Sequence, residues 1–569
     1  MKLTVGRWPA REFLAHRGLI ALAAGCAAAE AALLCVVAPA ARALAAQVTA
    51  VPPLAGFHDL RWLFGYQQSW PEFALLLVGL ITARSVLNAG LVLLAWPADR
   101  PRPAAREAFG AAVSLTMVAC LLLSPIVALT VGVAILPFSW PYLAALVVML
   151  LISAPLSHGG IRGSWWRTLP PLRAVCWLLA DFAMLSLAAA AIGRVPLAAA
   201  IPVSGLAGVA NARAWFGVVR AATRKPAWRA GAAWPLLRLP LAPLAAVLSI
   251  ALVIGMTRLA FVVGRGPRQV SIEAAAIQAG AAGGIAGGAP VGRLPGHGTG
   301  AGHRDQRDPV LVILGFGSAC CGGARSLQPV APGAYFQQFS YRGLNAAGQP
   351  LPHGAAASDL PLPELGNRIT TQVQRLHQDT GRPVDIIAES EGTLGVDAML
   401  ATHRDLPLGS VVMMSPIVTP GQVSYPAGSG PGAGLIPAGE LRAVVWFVGG
   451  LSPFGSSGAQ TLISSVNEVG ARFAASAARH HRVRMVLLVP LADAVTLPVC
   501  PLPRDVFVIP ALHGDLLGTP AVKRMVHRFL ANGTVHEPVR YKSTAELVAA
   551  AAAAWRMPEI TPPEPACGR

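Results

Sequence analysis

The sequence predicts a multi-pass α-helical membrane bundle followed by an α/β domain with a mostly parallel sheet. Three observations carry that expectation. Apolar residues make up 54% of the chain and charged residues only 13%, against roughly 25% charged in soluble domains. The charge is also divided, since residues 1–304 hold 25 Lys/Arg against 8 Asp/Glu while residues 305–569 hold 20 against 19. Finally, long apolar runs crowd the first 263 residues. From residue 309 the pattern becomes short Val/Ile/Leu runs alternating with helical stretches, the signature of an open parallel sheet.

A helix needs about 20 apolar residues to cross the hydrocarbon core. Seven segments are read as such spans, near 18–40, 74–96, 110–136, 139–156, 174–193, 195–212 and 239–263. The sixth is the weakest, being interrupted by Pro196, Pro202, Gly205 and Gly208. Basic residues in short loops stay preferentially on the cytoplasmic side. Counted over seven spans, sixteen Lys/Arg fall on the side of the N-terminus and three (Arg42, Arg61, Arg194) on the other. That asymmetry supports the sixth span, and an odd number of spans places everything after residue 263 outside the cell. A cleaved signal peptide ending near Ala43-Leu44-Ala45 is the competing reading. Its apolar region is longer than the usual 7 to 15 residues, and cleavage leaves the placement of the later residues unchanged. The basic surplus lies between apolar runs, which suits a lipid bilayer with anionic headgroups rather than nucleic acid. Glu30, Arg84 and Asp181 fall at membrane depth, where ionisable groups are costly and often functional. Pairing across the bundle is the plainer reading than a transport relay.

The expected organisation is therefore a transmembrane region over 1–265, a Gly/Ala-rich flexible linker over 266–306, an α/β domain over 307–560 with an insertion at 417–483, and a tail at 561–569. The linker has too few large apolar side chains to order itself. Buried strands are expected at 309–317, 383–390, 408–416, 484–493 and 505–513, with helices near 362–379, 391–403, 459–480 and 520–531. Reacting groups in such sheets gather beyond the C-terminal strand ends.

Three residues at those ends form a constellation. Ser390 lies in Ala388-Glu389-Ser390-Glu391-Gly392, between the strand VDIIA and the helix GTLGVDAML. A sharp strand-to-helix turn of this kind needs small residues two before and two after the serine. A serine hydroxyl needs a base to take its proton, and His513, at the end of VFVIPAL, is best placed; His480, His481 and His527 are associated with helices. The imidazole needs an acceptor on its other nitrogen, and Asp493 ends the preceding strand. Backbone amides must hold the developing oxyanion. Leu314-Gly315-Phe316-Gly317-Ser318 offers the amide of Phe316, and the residue after the nucleophile offers that of Glu391.

Over residues 308–531 the chain resembles the α/β-hydrolase superfamily, on the AESEG elbow, the GFG turn, the LADAVTLP and PALHGDLL segments, and the chain order Ser390, Asp493, His513. The resemblance implies an eight-stranded, mostly parallel sheet and hydrolysis of ester or related acyl bonds through an acyl-enzyme. It also implies that the insertion at 417–483 is a lid, where Trp446, Phe447 and Phe454 would cover a lipophilic acyl chain; one more packed helix is the equal alternative. The Tyr341-Arg342-Gly343-Leu344 loop is a further candidate lining. For the side chains of Glu389 and Glu391 the default expectation is solvent exposure. Cys320, Cys321 and Cys500 have the makings of one disulfide in an oxidising exterior. No cofactor or metal site is expected. The leading expectation is a membrane-anchored esterase or lipase with a small-molecule or lipid ester as substrate. An acyltransferase with the same triad, and a transporter or sensor with a ligand-binding domain, are the alternatives.

Overall fold

The computed structural model describes residues 13, 16–67, 69–132, 140–158, 160–161, 165–223, 240–248, 308–320, 335–403, 405–417, 460–470, 472–473, 483–492, 506–513, 516–535, 541–555 and 558. The linker, most of the 417–483 insertion and the 561–569 tail expected from the sequence lie outside those residues.

The N-terminal region is helical. Its elements are α1 (Arg17–Val37), a 3-10 stretch (Pro39–Thr49), α2 (Leu54–Tyr66), α3 (Trp70–Leu94), α4 (Ala105–Gly132), α5 (Trp140–Ser153), α6 (Leu172–Arg194) and α7 (Leu197–Thr223). Among the described residues, α1, α3, α4, α6 and α7 are long and apolar enough to cross a membrane. The expected fourth span is shorter: α5 has 14 residues, about 21 Å at 1.5 Å per residue, less than the ~30 Å hydrocarbon core. The expected seventh span is described only over 240–248, and 241–248 is helical. The doubtful sixth is α7, which runs through Pro202 without a break. It packs along α1, where Ala23, Ala27 and Ala31 recur at every fourth position and are fully buried. Small side chains let two helix backbones approach closely. Large apolar side chains such as Leu75, Val78, Leu121 and Leu206 point outward.

The connection from 38 to 69 departs from the expected loop. Its 3-10 stretch and α2 are folded into the bundle core, with Val51, Leu54, Leu60 and Phe64 buried. Arg61, counted above among loop cations, is 0% exposed. The same segment supplies partners to all three membrane-depth charges. Glu30 pairs with His58 at 2.9 Å. The Arg84 guanidinium donates to Asp59 at 2.6 and 2.5 Å and to the Val48 carbonyl. Asp181 accepts the Val51 N–H at 3.0 Å.

Among the described residues the second region is a six-stranded sheet of order β2-β1-β3-β4-β5-β6 with every pairing parallel. The strands are β1 (Val310–Ile313), β2 (Phe336–Gln338), β3 (Val384–Glu389), β4 (Leu408–Met414), β5 (Arg484–Ala492) and β6 (Val506–Leu512). The sequence located five of them; β2 was not foreseen. It is three residues long and half-buried, so it shows no apolar run.

Side chains alternate across the sheet as a period of two demands. Leu311, Ile313, Ile386, Ala388, Val411 and Met413 face one core with α8 (Leu362–Thr380) and α9 (Glu391–Thr402). Val310, Val312, Ile387, Val412 and Met414 face a second core with α10 (Pro520–Asn532). Both faces are covered, which explains why β1 and β3 read as unbroken apolar runs. A final helix, α11 (Lys542–Ala553), follows.

Candidate active site

β3 ends at Glu389 and α9 begins at Glu391, so Ser390 alone makes the turn between them. Its backbone sits at φ 54°, ψ −120°, a region that costs a non-glycine residue about 1–3 kcal/mol and persists only where the surroundings over-determine it. They do so here. Ser390 donates its N–H to the Met414 carbonyl at 3.0 Å, and its own carbonyl accepts from Thr393 twice, from N–H at 2.9 Å and from Oγ1–H at 2.6 Å. The Thr393 hydroxyl oxygen in turn accepts the Ile417 N–H at 3.2 Å, tying the elbow to the exit of β4.

His513 directly follows β6, and its Nε2 lies 2.9 Å from Ser390 Oγ. The two residues are 123 positions apart in sequence, and the contact spans the ends of β4 and β5. With Nε2 unprotonated, the imidazole accepts the serine proton along this hydrogen bond.

Beside the elbow lies the turn that leaves β1. A Cβ on Gly315 would meet Ser390 Cβ at 2.8 Å, and one on Gly392 would meet Ile313 Cγ2 at 2.8 Å and the Ile313 carbonyl at 2.9 Å. These two glycines are what let the turn and the start of α9 come together. Within the turn, Gly317 donates its N–H to Ser358 Oγ at 2.9 Å and Ser318 donates to the Gly315 carbonyl at 3.2 Å. Those two amides are thus engaged within the protein. Phe316 is half-buried in the same turn, and Glu391 is the first residue of α9, where the amide has no carbonyl partner within its own helix and the positive end of the helix dipole lies.

Glu389 and Glu391 correct the expectation of solvent exposure, being 7% and 2% exposed. The short turn directs them inward rather than out over the helix. Glu391 stands beside Tyr341, itself buried: the Tyr341 hydroxyl donates to the Leu314 carbonyl at 2.6 Å and lies 3.4 Å from Glu391 Oε2. Burial pushes the Glu391 carboxyl well above the usual range, and nearby Asp359 raises it further against the opposing Tyr341 contact. Tyr341 is likewise raised by burial and then by Glu391. Tyr341 therefore props the β1 turn from behind rather than lining a pocket.

Ser390, His513, Phe316 and Glu391 are brought to one end of the sheet. Asp493 lies outside the described residues; in sequence it follows Ala492, the last residue of β5. Trp446, Phe447 and Phe454 also lie outside them. Cys320 is disulfide-bonded, whereas Cys26, Cys35, Cys120 and Cys176 are free. Sequence reasoning passed over Thr393, Ser358 and the propping role of Tyr341. A threonine three residues after a candidate nucleophile, within reach of its carbonyl in a first helical turn, was the signal available for the first; isolated residues give none for the others.

No known protein-family model matches the chain, and no curated protein matches it.

Proposed function

We propose that the region from residue 308 onward is a serine hydrolase of the α/β-hydrolase type, carried by a multi-pass membrane region and cleaving ester bonds of lipophilic substrates. The observation that carries this reading is the 2.9 Å contact between His513 Nε2 and a serine held at positive φ on a strand-to-helix turn. A strained serine exit is retained at functional sites, and nucleophile and base within hydrogen-bond reach is the arrangement acyl transfer requires. Chain order adds support, because the serine, a carboxylate after the next-to-last strand and the histidine after the last strand follow one another as in that superfamily.

In the proposed mechanism Ser390 Oγ attacks the ester carbonyl carbon as His513 Nε2 takes its proton. Asp493 accepts the hydrogen bond from Nδ1–H and stabilises the imidazolium. The amides of Phe316 and Glu391 receive the charge that develops on the carbonyl oxygen. Collapse expels the alcohol, which takes the proton from His513, and leaves an acyl-Ser390 ester. Water, deprotonated by His513, then attacks that ester, and the acid leaves as the proton returns to Ser390 Oγ. The site lies outside the cytoplasm in this proposal, consistent with the sixteen-to-three Lys/Arg asymmetry of the sequence and with the disulfide at Cys320.

Labelling intact cells with a membrane-impermeant fluorophosphonate tests nucleophile and sidedness together. The chain should be labelled, and Ser390→Ala should lose both the label and ester hydrolysis while remaining inserted. Near wild-type turnover in Ser390→Ala refutes the nucleophile, and labelling only after lysis refutes the sidedness.

A further inference from the structure

After α10 the chain turns back toward the N-terminal bundle. The first half of α11 stays with the sheet, where Ala545 packs against Val489, Val506 and Val508. Its 12 residues make a rigid strut of about 18 Å, and at the far end Ala554 and Trp555 are fully enclosed by the bundle. Trp555 is 1% exposed. Its ring stacks on Phe182 with centroids 4.6 Å apart, tilts against Phe57 at 6.2 Å, and donates Nε1–H to Ser186 Oγ at 2.9 Å.

The backbone beside it is held as firmly. The Ala554 carbonyl accepts Gln47 Nε2–H at 2.6 Å and Arg61 Nη1–H at 3.0 Å, and Arg61 also donates to the Gln47 side-chain oxygen. The Tyr66 hydroxyl donates to the Pro558 carbonyl. Gln47 and Arg61 are themselves buried, and polar groups of that kind are retained in an apolar bundle where they have partners. Every one of these three donors comes from the 38–69 segment, the same one whose His58 and Asp59 side chains and Val48 and Val51 backbone pair with Glu30, Arg84 and Asp181.

We propose that the bundle is a receptor for the chain's own C-terminal segment, residues 541–558, and that this socket, not the linker, fixes the sheet domain to the membrane region. An aromatic anchor in a desolvated pocket, ringed by hydrogen bonds to its backbone, is the arrangement that concentrates binding energy in few residues. The socket also determines side. The 38–69 segment joins α1 to α3, both of membrane length, so it lies across the membrane from the N-terminus. A domain docked on it lies there too, which requires an odd number of crossings before residue 308.

The test uses the full chain with a site-specific protease sequence placed in 266–306 and cut after the protein has folded in membranes. The C-terminal fragment should remain bound to the bundle after the cut. Trp555→Ala should speed its release by about thirtyfold or more, and a chain ending at residue 540 should release it at once. A second arm guards against misfolding: Gln47→Cys with Ala554→Cys, too far apart for a direct disulfide because only the long glutamine side chain reaches the Ala554 carbonyl, should be joined by a short bifunctional thiol cross-linker that links the two fragments in the cut protein. The proposal is overturned if the cut wild-type fragment leaves as fast as the one ending at 540, if both stay equally bound, or if the cysteine pair fails to cross-link.

Discussion

Tyr341→Phe removes one hydroxyl and nothing else, and it probes whether the β1 turn must be propped for the site to work. That hydroxyl donates to the Leu314 carbonyl at 2.6 Å, two residues ahead of Phe316. Losing such a bond costs about 1–3 kcal/mol when the partner is left unsatisfied. If the whole loss falls on the positioning of the oxyanion donor, kcat drops roughly 5- to 150-fold, reaching only the low end of the ~10²–10³ for removing a donor outright. KM should barely move, because the donor meets charge only in the transition state. The assay is steady-state hydrolysis of an activated short-chain ester by the full chain in detergent, beside thermal denaturation. A normal kcat with lowered thermal stability would show that the hydroxyl supports the fold alone.

Glu391 gives the same prop a pH dependence. While the carboxyl is protonated it donates toward Tyr341, leaving the tyrosine proton for Leu314. Once ionised it can only accept, and it draws that single proton away from the turn. Burial moves that ionisation up from the ordinary carboxylate range, so wild-type kcat should fall as pH rises through it, on a limb that Glu391→Gln, permanently neutral and still a donor, lacks. The same limb in both proteins would assign it elsewhere.

Two further outcomes are expected. Gly315→Ala places a methyl 2.8 Å from Ser390 Cβ, so the turn must move and kcat should fall by about 10²-fold with little change in melting temperature; full activity would mean that the turn is not held against the nucleophile. Asp385, whose Oδ1 accepts the Ser410 N–H at 2.7 Å, is pushed up to about 6, chiefly by burial. The native state thus keeps a proton that the unfolded chain releases near pH 4, so stability falls as pH rises from about 4 to about 6, by on the order of 3 kcal/mol. Asp385→Asn keeps the acceptor and should flatten that part of the denaturation profile; an unchanged slope between the two pH values would refute the assignment.

How much of this was legible in the sequence depends on range. Ser390 and His513 were readable because each directly follows an apolar run, and in a parallel sheet such run ends converge. Gly315 and Gly392 were readable as a turn and an elbow, although their mutual necessity appears only when β1 and β3 are neighbours. The inward course of Glu389 and Glu391 was not readable, since a charged residue beside a turn is ordinarily solvated, and the contact that meets Glu391 comes from Tyr341, fifty residues away. β2 was too short and too polar to announce itself. The 38–69 segment was misread for another reason: hydropathy windows tuned to about 20 residues pass over a 13-residue helix. Its length was the neglected signal, because connections beyond about 12–15 residues without structure of their own are uncommon.

That segment changes how the membrane-depth charges are understood. Glu30, Arg84 and Asp181 sit on three different long helices, α1, α3 and α6, and taken from the sequence they are scattered. Each is answered from a stretch of twelve residues, Val48 to Asp59. One re-entrant piece of chain thus gathers three helices by their charges, at sites where an unpaired ionised group would be most costly. Three of its other polar side chains, Gln47, Arg61 and Tyr66, turn to the C-terminal segment. A bundle serving only as an anchor needs neither set: apolar faces and small-residue contacts hold helices together in lipid. The cost of burying these groups is explained if the 38–69 segment joins two tasks, closing the bundle on one side and receiving Trp555 on the other. Packing of the long helices and seating of the sheet domain are then coupled through a single element.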